Sequence, residues 1–395
     1  PFQQLVVSLE TTPPLGNNFQ LPNTICAIPW SNMEIRTDGS IGPCCNFSGS
    51  FGNILNDTIQ DVFNGAKMQQ LRQEFLDGNK PVGCKRCWVV EDRGLTSMRQ
   101  HNIKRLNDRF LSYYFENPEV IYMDLKFQNT CNFKCRICGP GASSLHVDEH
   151  YKHFKIVPRP QLNWSESDSF IQQVTELLPN LNNIDMYGGE PFLIKNFAKV
   201  LETAVNTGVA KNIRLHYNSN GSVWPERFVK YWPHFAHVDI HFSIDAVGDQ
   251  FSLERGSTWQ EVESNILRIK DLNLPNMSIS IMPSINIMNV LYIDKVIDWA
   301  NQHNFQIFVN YVNAPGEFSL SQLTQEAKDL IIAKHGSNPW PEIKKILEAI
   351  ESTPVTDGKD FCQKTKWYDS IRGENFAETH SEIAKAMGYV YNKAQ

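Results

Sequence analysis

Residues Val120-Ile121-Tyr122-Met123-Asp124-Leu125-Lys126-Phe127 lead, through three polar residues, into Cys131-Asn132-Phe133-Lys134-Cys135-Arg136-Ile137-Cys138-Gly139-Pro140-Gly141. The first stretch is a short β-rich run. The second sets three thiols within eight residues, close enough to converge on one soft metal centre. A structural metal site is usually closed by four ligands, so three leave a position open. On a [4Fe–4S] cube the open position is one iron free for a small molecule. On zinc it would need a fourth protein ligand, and His146 or His150 could serve.

Outward from this loop the chain alternates. Further β-rich runs fall at Asn183–Tyr187, Ile213–Asn218, Val238–Ile244, Met277–Pro283 and Phe305–Val312, with amphipathic segments between most of them. Ser165 with Asp168 precedes an apolar stripe at Phe170, Ile171, Val174, Leu177 and Leu178, which predicts a capped helix. Ser257 and Gln260 predict a second capping box before Val262, Ile266 and Ile269. Strands alternating with helices predict parallel βα units. Six of them make an α/β fold, either a partial (β/α)6 TIM-like barrel or an open doubly wound sheet. In both, ligands gather at the C-terminal ends of the strands. The first hundred residues are irregular, with a turn at Asp38-Gly39 and one expected helix over Ile59–Leu76. After Pro315 the pattern is helical only, at Leu320–His335, Pro341–Ile350 and Ser381–Met387. The expected organisation is therefore an N-terminal module over 1–105, the barrel over 106–315 and a helical extension over 316–395.

The spacing of Cys131, Cys135 and Cys138 resembles the cluster motif of the radical S-adenosylmethionine (SAM) superfamily, with Ile137 where that family usually has an aromatic residue. The resemblance implies a [4Fe–4S] cluster whose open iron is chelated by the amino and carboxylate groups of SAM. One electron then breaks a carbon–sulfur bond, giving methionine and a 5′-deoxyadenosyl radical that removes hydrogen from a substrate. Such a cofactor carries the hard chemistry while the protein positions and shields it. Three strand-end segments agree. Tyr187-Gly188-Gly189-Glu190-Pro191 is similar to the motif that receives the SAM amino group, with Glu190 holding the loop or accepting from the ammonium. Asn218-Ser219-Asn220-Gly221 resembles the family's Thr-Asn-Gly segment. Ser243-Ile244-Asp245 ends the fourth strand, and the resemblance makes Ser243 a ribose or carboxylate contact and Arg255 a charge-assisted partner of the SAM carboxylate. Ile281, Pro283 and Ile285 are placed to pack the adenine, or simply the core.

A second cysteine group comes earlier. Cys84-Lys85-Arg86-Cys87 is a CxxC knuckle, and Cys26 and Cys44 can complete four thiolates, for zinc or for a closed iron–sulfur cluster. With Trp30, Asp38-Gly39, Pro43-Cys44-Cys45, Gly52-Asn53, Leu71-Arg72 and Trp88, the string resembles the twitch/SPASM auxiliary-cluster module of radical SAM enzymes. That module usually follows the barrel; here it precedes it. The resemblance implies a second [4Fe–4S] cluster on Cys26, Cys44, Cys84 and Cys87, with Cys45 the alternative to Cys44. Cys362 lies outside both groups. It reads as a buried structural thiol, or as a hydrogen-atom donor of the kind radical SAM peptide epimerases use.

Nine cysteines in a chain of 395 residues, with no visible secretion signal, argue for metal or redox use over a disulfide framework. The net charge of −6 argues against a nucleic-acid grip. No run approaches the roughly 20 apolar residues of a membrane helix. These features suit a cytoplasmic protein, and the resemblance implies an oxidoreductase, fed by an electron donor such as flavodoxin or ferredoxin, that modifies a ribosomally made peptide or protein by epimerisation or cross-linking. A dehydrogenase, epimerase or cyclase of a sugar or nucleoside is the second expectation, and a non-catalytic two-zinc scaffold the third.

Overall fold

The computed structural model describes residues 21–105, 114–155 and 163–390. The segment inspected for a secretion signal, and the 106 end of the expected barrel domain, lie outside them. In chain order the strands are β1 (Asn32–Ile35), β2 (Ser40–Gly42), β3 (Gly52–Asn53), β4 (Tyr122–Lys126), β5 (Asn183–Tyr187), β6 (Arg214–Ser219), β7 (His237–Phe242), β8 (Met277–Ile281), β9 (Ser284–Ile285), β10 (Gln306–Ile307) and β11 (Asn310–Tyr311). Helices intervene: Ser144–Phe154 and Asp168–Leu177 after β4, Ala198–Asn206 after β5, Trp259–Lys270 after β7 and Ile293–Gln302 after β9. This is the succession of a TIM-like partial barrel with a parallel central sheet.

The chain forms two compact units. One comprises Pro1–Gln128, Gln161–Tyr217 and Pro225–Val238; the other comprises Asn129–Pro160, Asn218–Trp224 and Asp239–Gln395. In the first, strands β6, β5, β4 and β1 run in parallel order, and β2 and β3 continue the sheet antiparallel. The expected irregular N-terminal module thus contributes a parallel strand beside β4. The turn at Asp38-Gly39 closes β1 onto β2, with Gly39 at φ +80°. On one face of this sheet Met33, Ile35, Met123, Leu125, Ile184, Met186, Leu215 and Tyr217 are completely buried. At about 1.5–3 kcal/mol for each large apolar side chain, that face holds the unit together. The other face is polar, as the alternation of Asn32, Glu34, Tyr122, Asp124, Lys126, Asp185 and Tyr187 dictates.

In the second unit β8 pairs with β10 and β9 with β11, all parallel. The expected runs at 277–283 and 305–312 are each interrupted, at Met282-Pro283 and Phe308-Val309. Other expectations need correction. The helix over Ile59–Leu76 is two, Ile59–Asn64 and Ala66–Leu76, because extended Gly65 ends one and starts the other. A Cβ at Gly65 would lie 2.7 Å from the Asp61 carbonyl. Ser167, not Ser165, caps the Asp168 helix by accepting the Phe170 N–H. The Trp259 helix starts from Thr258 without a side-chain cap, so the capping box read one residue earlier does not form. A helix over Lys359–Arg372 carries Cys362 and was not anticipated. No helix among the described residues is long and apolar enough to cross a membrane.

Candidate functional site

The cysteine loop belongs to the second unit and is fastened at every turn. Ser144 N–H donates to Asn129 O at 2.6 Å, and Ser143 Oγ donates to Phe133 O at 2.6 Å. The Cys131 sulfur accepts the Phe133 N–H at 3.5 Å and Asn220 Nδ2 at 3.8 Å. Hydrogen bonds to a cluster sulfur are one of the levers that set its potential. Cys135 is buried against the Arg255 carbonyl, 3.6 Å from its sulfur. Its own carbonyl lies 2.9 Å from His146 Nε2, which ties that ring to the loop. Burial first, then the charges of Cys138 and Cys131, push the Cys135 thiol up to about 12, against the opposing pull of Arg255.

The strand-end residues of this unit converge on the same loop. Ser219 Oγ accepts the Gly221 N–H at 3.0 Å, and Asn220 bridges to Asn132 Oδ1 at 3.1 Å. Ser243 N–H donates to Ser219 O at 2.9 Å. Arg255, expected to face a carboxylate of SAM, already pairs with Asp245 at 2.8 Å, both side chains buried. Asp245 in turn accepts the Ser284 N–H at 2.7 Å. Ile281 and Ile285 are fully buried and Pro283 is buried.

Gly188-Gly189-Glu190-Pro191 belongs to the first unit. Gly188 has φ +123°, and a Cβ there would stand 2.3 Å from the Phe127 carbonyl oxygen, so only glycine fits this approach to the end of β4. Buried Glu190 accepts the Phe192 N–H at 3.2 Å, capping the short turn Pro191–Leu193.

The four early cysteines are drawn from three segments of the same unit. Arg99 Nη1 holds the Cys26 segment through the carbonyls of Asn23 and Ile25, at 2.9 and 2.7 Å. Arg72 reaches Pro29 O at 2.9 Å. Ser48 N–H donates to Gly83 O at 2.8 Å, joining the Cys44 loop to the knuckle. Trp88 donates to Pro81 O at 3.1 Å. Cys26 feels the charges of Cys84 and Cys87, and Cys44 those of Cys26, Cys45 and Cys84, so these thiols are neighbours. Cys45 instead feels Asp124 and Glu34 and faces the polar side of the sheet. A cavity of about 520 Å³ opens beside Cys87, lined also by Asn46, Lys85, Arg86 and Met98.

Cys362 donates to the Met387 carbonyl at 3.3 Å, within the C-terminal helices. The residues that sequence reasoning passed over are the buried charges around the loop. Arg136, completely buried, sends Nη2 to Asp369 and Glu374 at 2.5 Å each. Asp369 also accepts the Phe376 N–H at 2.7 Å and the Tyr389 hydroxyl. Arg372 clasps Glu149 and donates to Lys134 O at 2.9 Å. Glu254 and His380 meet at 3.2 Å. Burial raises the former and lowers the latter to about 3, which makes theirs a neutral hydrogen bond. The signal for these partners was unreadable in the chain, because Arg136 and Asp369 are 233 positions apart.

The loop suits an iron–sulfur cube. Three adjoining thiols, Cys135 buried and Cys131 and Cys138 partly so, resist ionising together unless a cation joins them. Beside them the Nε atoms of Arg136 and Arg255 are buried without a partner, as donors awaiting an anionic group would be. Among the described residues no three His, Cys, Asp or Glu side chains converge tightly enough to grip a single ion. Thiolates that each take a separate iron of a cube need no such convergence.

Comparison with known proteins gives two family matches: the Radical SAM superfamily over residues 125–317, and the SPASM iron–sulfur cluster-binding domain over 26–88. A GTP 3′,8-cyclase of Actinobacillus pleuropneumoniae serotype 3 (strain JL03) is 29% identical over 158 residues, 39% of this chain and 40% of that protein. The GTP 3′,8-cyclase of Haemophilus ducreyi is 26% identical over 206 residues, 51% of this chain and 54% of that protein. The chain thus spans two fifths to about half of these curated relatives. Among solved structures, native anSMEcpe with bound AdoMet covers 58% of this chain and 60% of its own at 17% identity, with a TM-score of 0.38. Streptococcus suis SuiB bound to precursor peptide SuiA covers 78% and 69% at 10% identity, with a TM-score of 0.38.

Proposed function

Because this chain belongs to the radical SAM superfamily and carries an iron–sulfur SPASM module ahead of the barrel, we propose that it uses SAM to remove hydrogen from a peptide or protein substrate. When bound, the cluster and SAM supply a 5′-deoxyadenosyl radical. Cys131, Cys135 and Cys138 hold that cluster, and Cys26, Cys44, Cys84 and Cys87 hold the auxiliary one. For SAM, the family resemblance assigns contacts to Gly188, Gly189, Glu190 and Pro191 in the first unit and to Ser219, Asn220, Ser243, Asp245, Arg255, Ile281 and Pro283 in the second. Arg255 pairs with Asp245, and its carbonyl lies 3.6 Å from the Cys135 sulfur. The contact of Cys362 with Met387 favours a structural thiol over a hydrogen donor. A reducing cytoplasm suits the free thiols, with a flavodoxin or ferredoxin as electron donor.

The observation that carries the choice of substrate is charge. Glu34, Asp124 and Asp185 lie side by side on the polar face of β1, β4 and β5. Arg36 on that face is already committed to Glu34 and to the carbonyls of Phe47 and Gly49. A nucleoside triphosphate bound along that face would meet repulsion; a neutral or basic peptide bound there would not. The names of the curated relatives favour the second reading, a nucleotide substrate.

Anaerobically reconstituted protein should hold about eight iron atoms if two cubes are present, and should release 5′-deoxyadenosine from SAM with dithionite. Replacing Cys131, Cys135 and Cys138 together by Ala should abolish that release and remove about half of the iron. Undiminished 5′-deoxyadenosine from the triple variant would refute the assignment. Consumption of GTP coupled to SAM cleavage would move the substrate to the nucleotide reading.

A further inference from the structure

The polar face of the first unit's sheet is unusual for a barrel. Parallel strands buried on both sides are generally apolar throughout, and barrel interiors are filled with branched aliphatic residues. Here Glu34 stands opposite Asp124, and Asp124 opposite Asp185, in register across β1, β4 and β5. Neighbouring strands are about 4.8 Å apart, and like charges directly opposite destabilise a sheet. Two of the three carboxylates have visible relief: Glu34 accepts from Arg36 Nε at 2.8 Å, and Asp185 accepts the Tyr122 hydroxyl. Asp124 accepts from Tyr187, but its Oδ1 is buried without any hydrogen-bond partner. The side chain is only 7% exposed. A bare carboxylate oxygen between two other acids is a costly arrangement unless something cationic arrives to meet it.

We infer that this row is a subsite for an organic cation, an ammonium or guanidinium group of the substrate, received by Asp124 between Glu34 and Asp185. The phenol rings of Tyr122 and Tyr187 border it and add faces on which such a cation rests favourably. A metal ion is the weaker candidate, since no three such groups among the described residues converge on a point. Within the same unit, Tyr187 directly precedes Gly188, and Cys45, which senses Asp124, directly follows Cys44. This names the chemistry of the substrate for the activity proposed above, and rests on that reading only for the substrate's being the occupant.

Binding is therefore read without reductant, so that its failure leaves SAM cleavage untouched. The probes are benzylammonium and its neutral counterpart benzyl alcohol, titrated into the full reconstituted protein and followed by ligand-observed NMR. The ammonium should bind at least about tenfold more tightly than the alcohol, a difference of about 1.4 kcal/mol. Asp124→Asn should erase the preference while leaving the alcohol unchanged. The wild-type protein gives a check that needs no variant. Asp124 is pushed up to about 7, by burial first and then by Asp185 and Glu34, against Tyr187 and Lys126; Cys45, Tyr122 and, beyond Asp185, His216 complete its surroundings. Ammonium affinity should therefore fall as pH drops from 8 to 6. Equal binding of the two probes, or a preference indifferent to both pH and Asp124→Asn, overturns the inference. So does displacement of the ammonium by stoichiometric Mg²⁺, which would make the row a metal site.

Discussion

The acidic row of the first unit and the cysteine loop of the second bury charge in opposite ways. In the second, every buried arginine around the cysteine loop meets a carboxylate: Arg136 has Asp369 and Glu374, Arg255 has Asp245, and Arg372 has Glu149. In the first, carboxylates are set beside carboxylates, and one oxygen of Asp124 meets nothing. Paired charges fix geometry. They bind the loop between Cys131 and Cys138 to helix Lys359–Arg372 and to the turn after it, which is what a ligand set needs to stay preorganised. Unpaired like charges do the reverse, since they lower stability and leave binding free energy available to a ligand. The two regions should consequently answer to mutation with opposite signs.

The largest effect is expected at Arg136. Arg136→Met strands Asp369, completely buried, with only the Phe376 N–H and the Tyr389 hydroxyl for company. Removing one partner of a buried ion pair costs about 3–5 kcal/mol. Urea denaturation should show that loss, and iron should leave the 131–138 loop before it leaves the early cysteines. Wild-type stability in this variant would break the contrast. Asp124→Asn should move the other way. A carboxyl held up to about 7 in the folded chain, against about 3.9 when unfolded, is charged at a cost above pH 7 and neutral at pH 5. The folded state holds the proton more tightly, so stability falls as pH rises through that window. Asn never carries the charge. The variant should therefore melt higher than wild type at pH 8 and close to it at pH 5. A lower melting temperature at pH 8 would mean that the row is structural.

Much of this was legible along the chain and some was not. Strands from β4 to β8 could be placed because alternation and β-branched residues reach across a few positions. The three-thiol loop and the glycines at 188 and 189 were legible because their chemistry is local; Gly188 must approach Phe127 whatever surrounds it. The helix Lys359–Arg372 escaped because Asp369 and Thr365, polar in sequence, are fully buried and blur its apolar stripe. Arg136 read as a spacer between cysteines, since its partners arrive from more than two hundred residues away. The pairing of β1 with β4 was equally hidden. An irregular, Cys-rich segment gave no hint that Asn32–Ile35 would join a parallel sheet, and with it the acidic row went unseen.

The smallest effect, and the finest probe of the contrast, belongs to Glu34→Gln. Arg36 would keep its hydrogen bonds to the carbonyls of Phe47 and Gly49, at 2.6 and 2.7 Å, so the loop after Cys45 stays in place. The lost pair is 24% exposed on the arginine side, Gln can still accept from Arg36, and stability should change by no more than about 1 kcal/mol. Asp124 should nonetheless register the change. Glu34 is one of the charges that hold its carboxyl up, and an Arg36 relieved of Glu34 would act on it in the same direction as the missing negative charge. Carbon-detected NMR of the Asp124 carboxyl should place its titration midpoint below the wild-type value, while still above that of an exposed aspartate because burial persists. A midpoint that stays put would show that the acids of β1 and β4 do not sense each other, and the row would reduce to three separate side chains sharing a sheet.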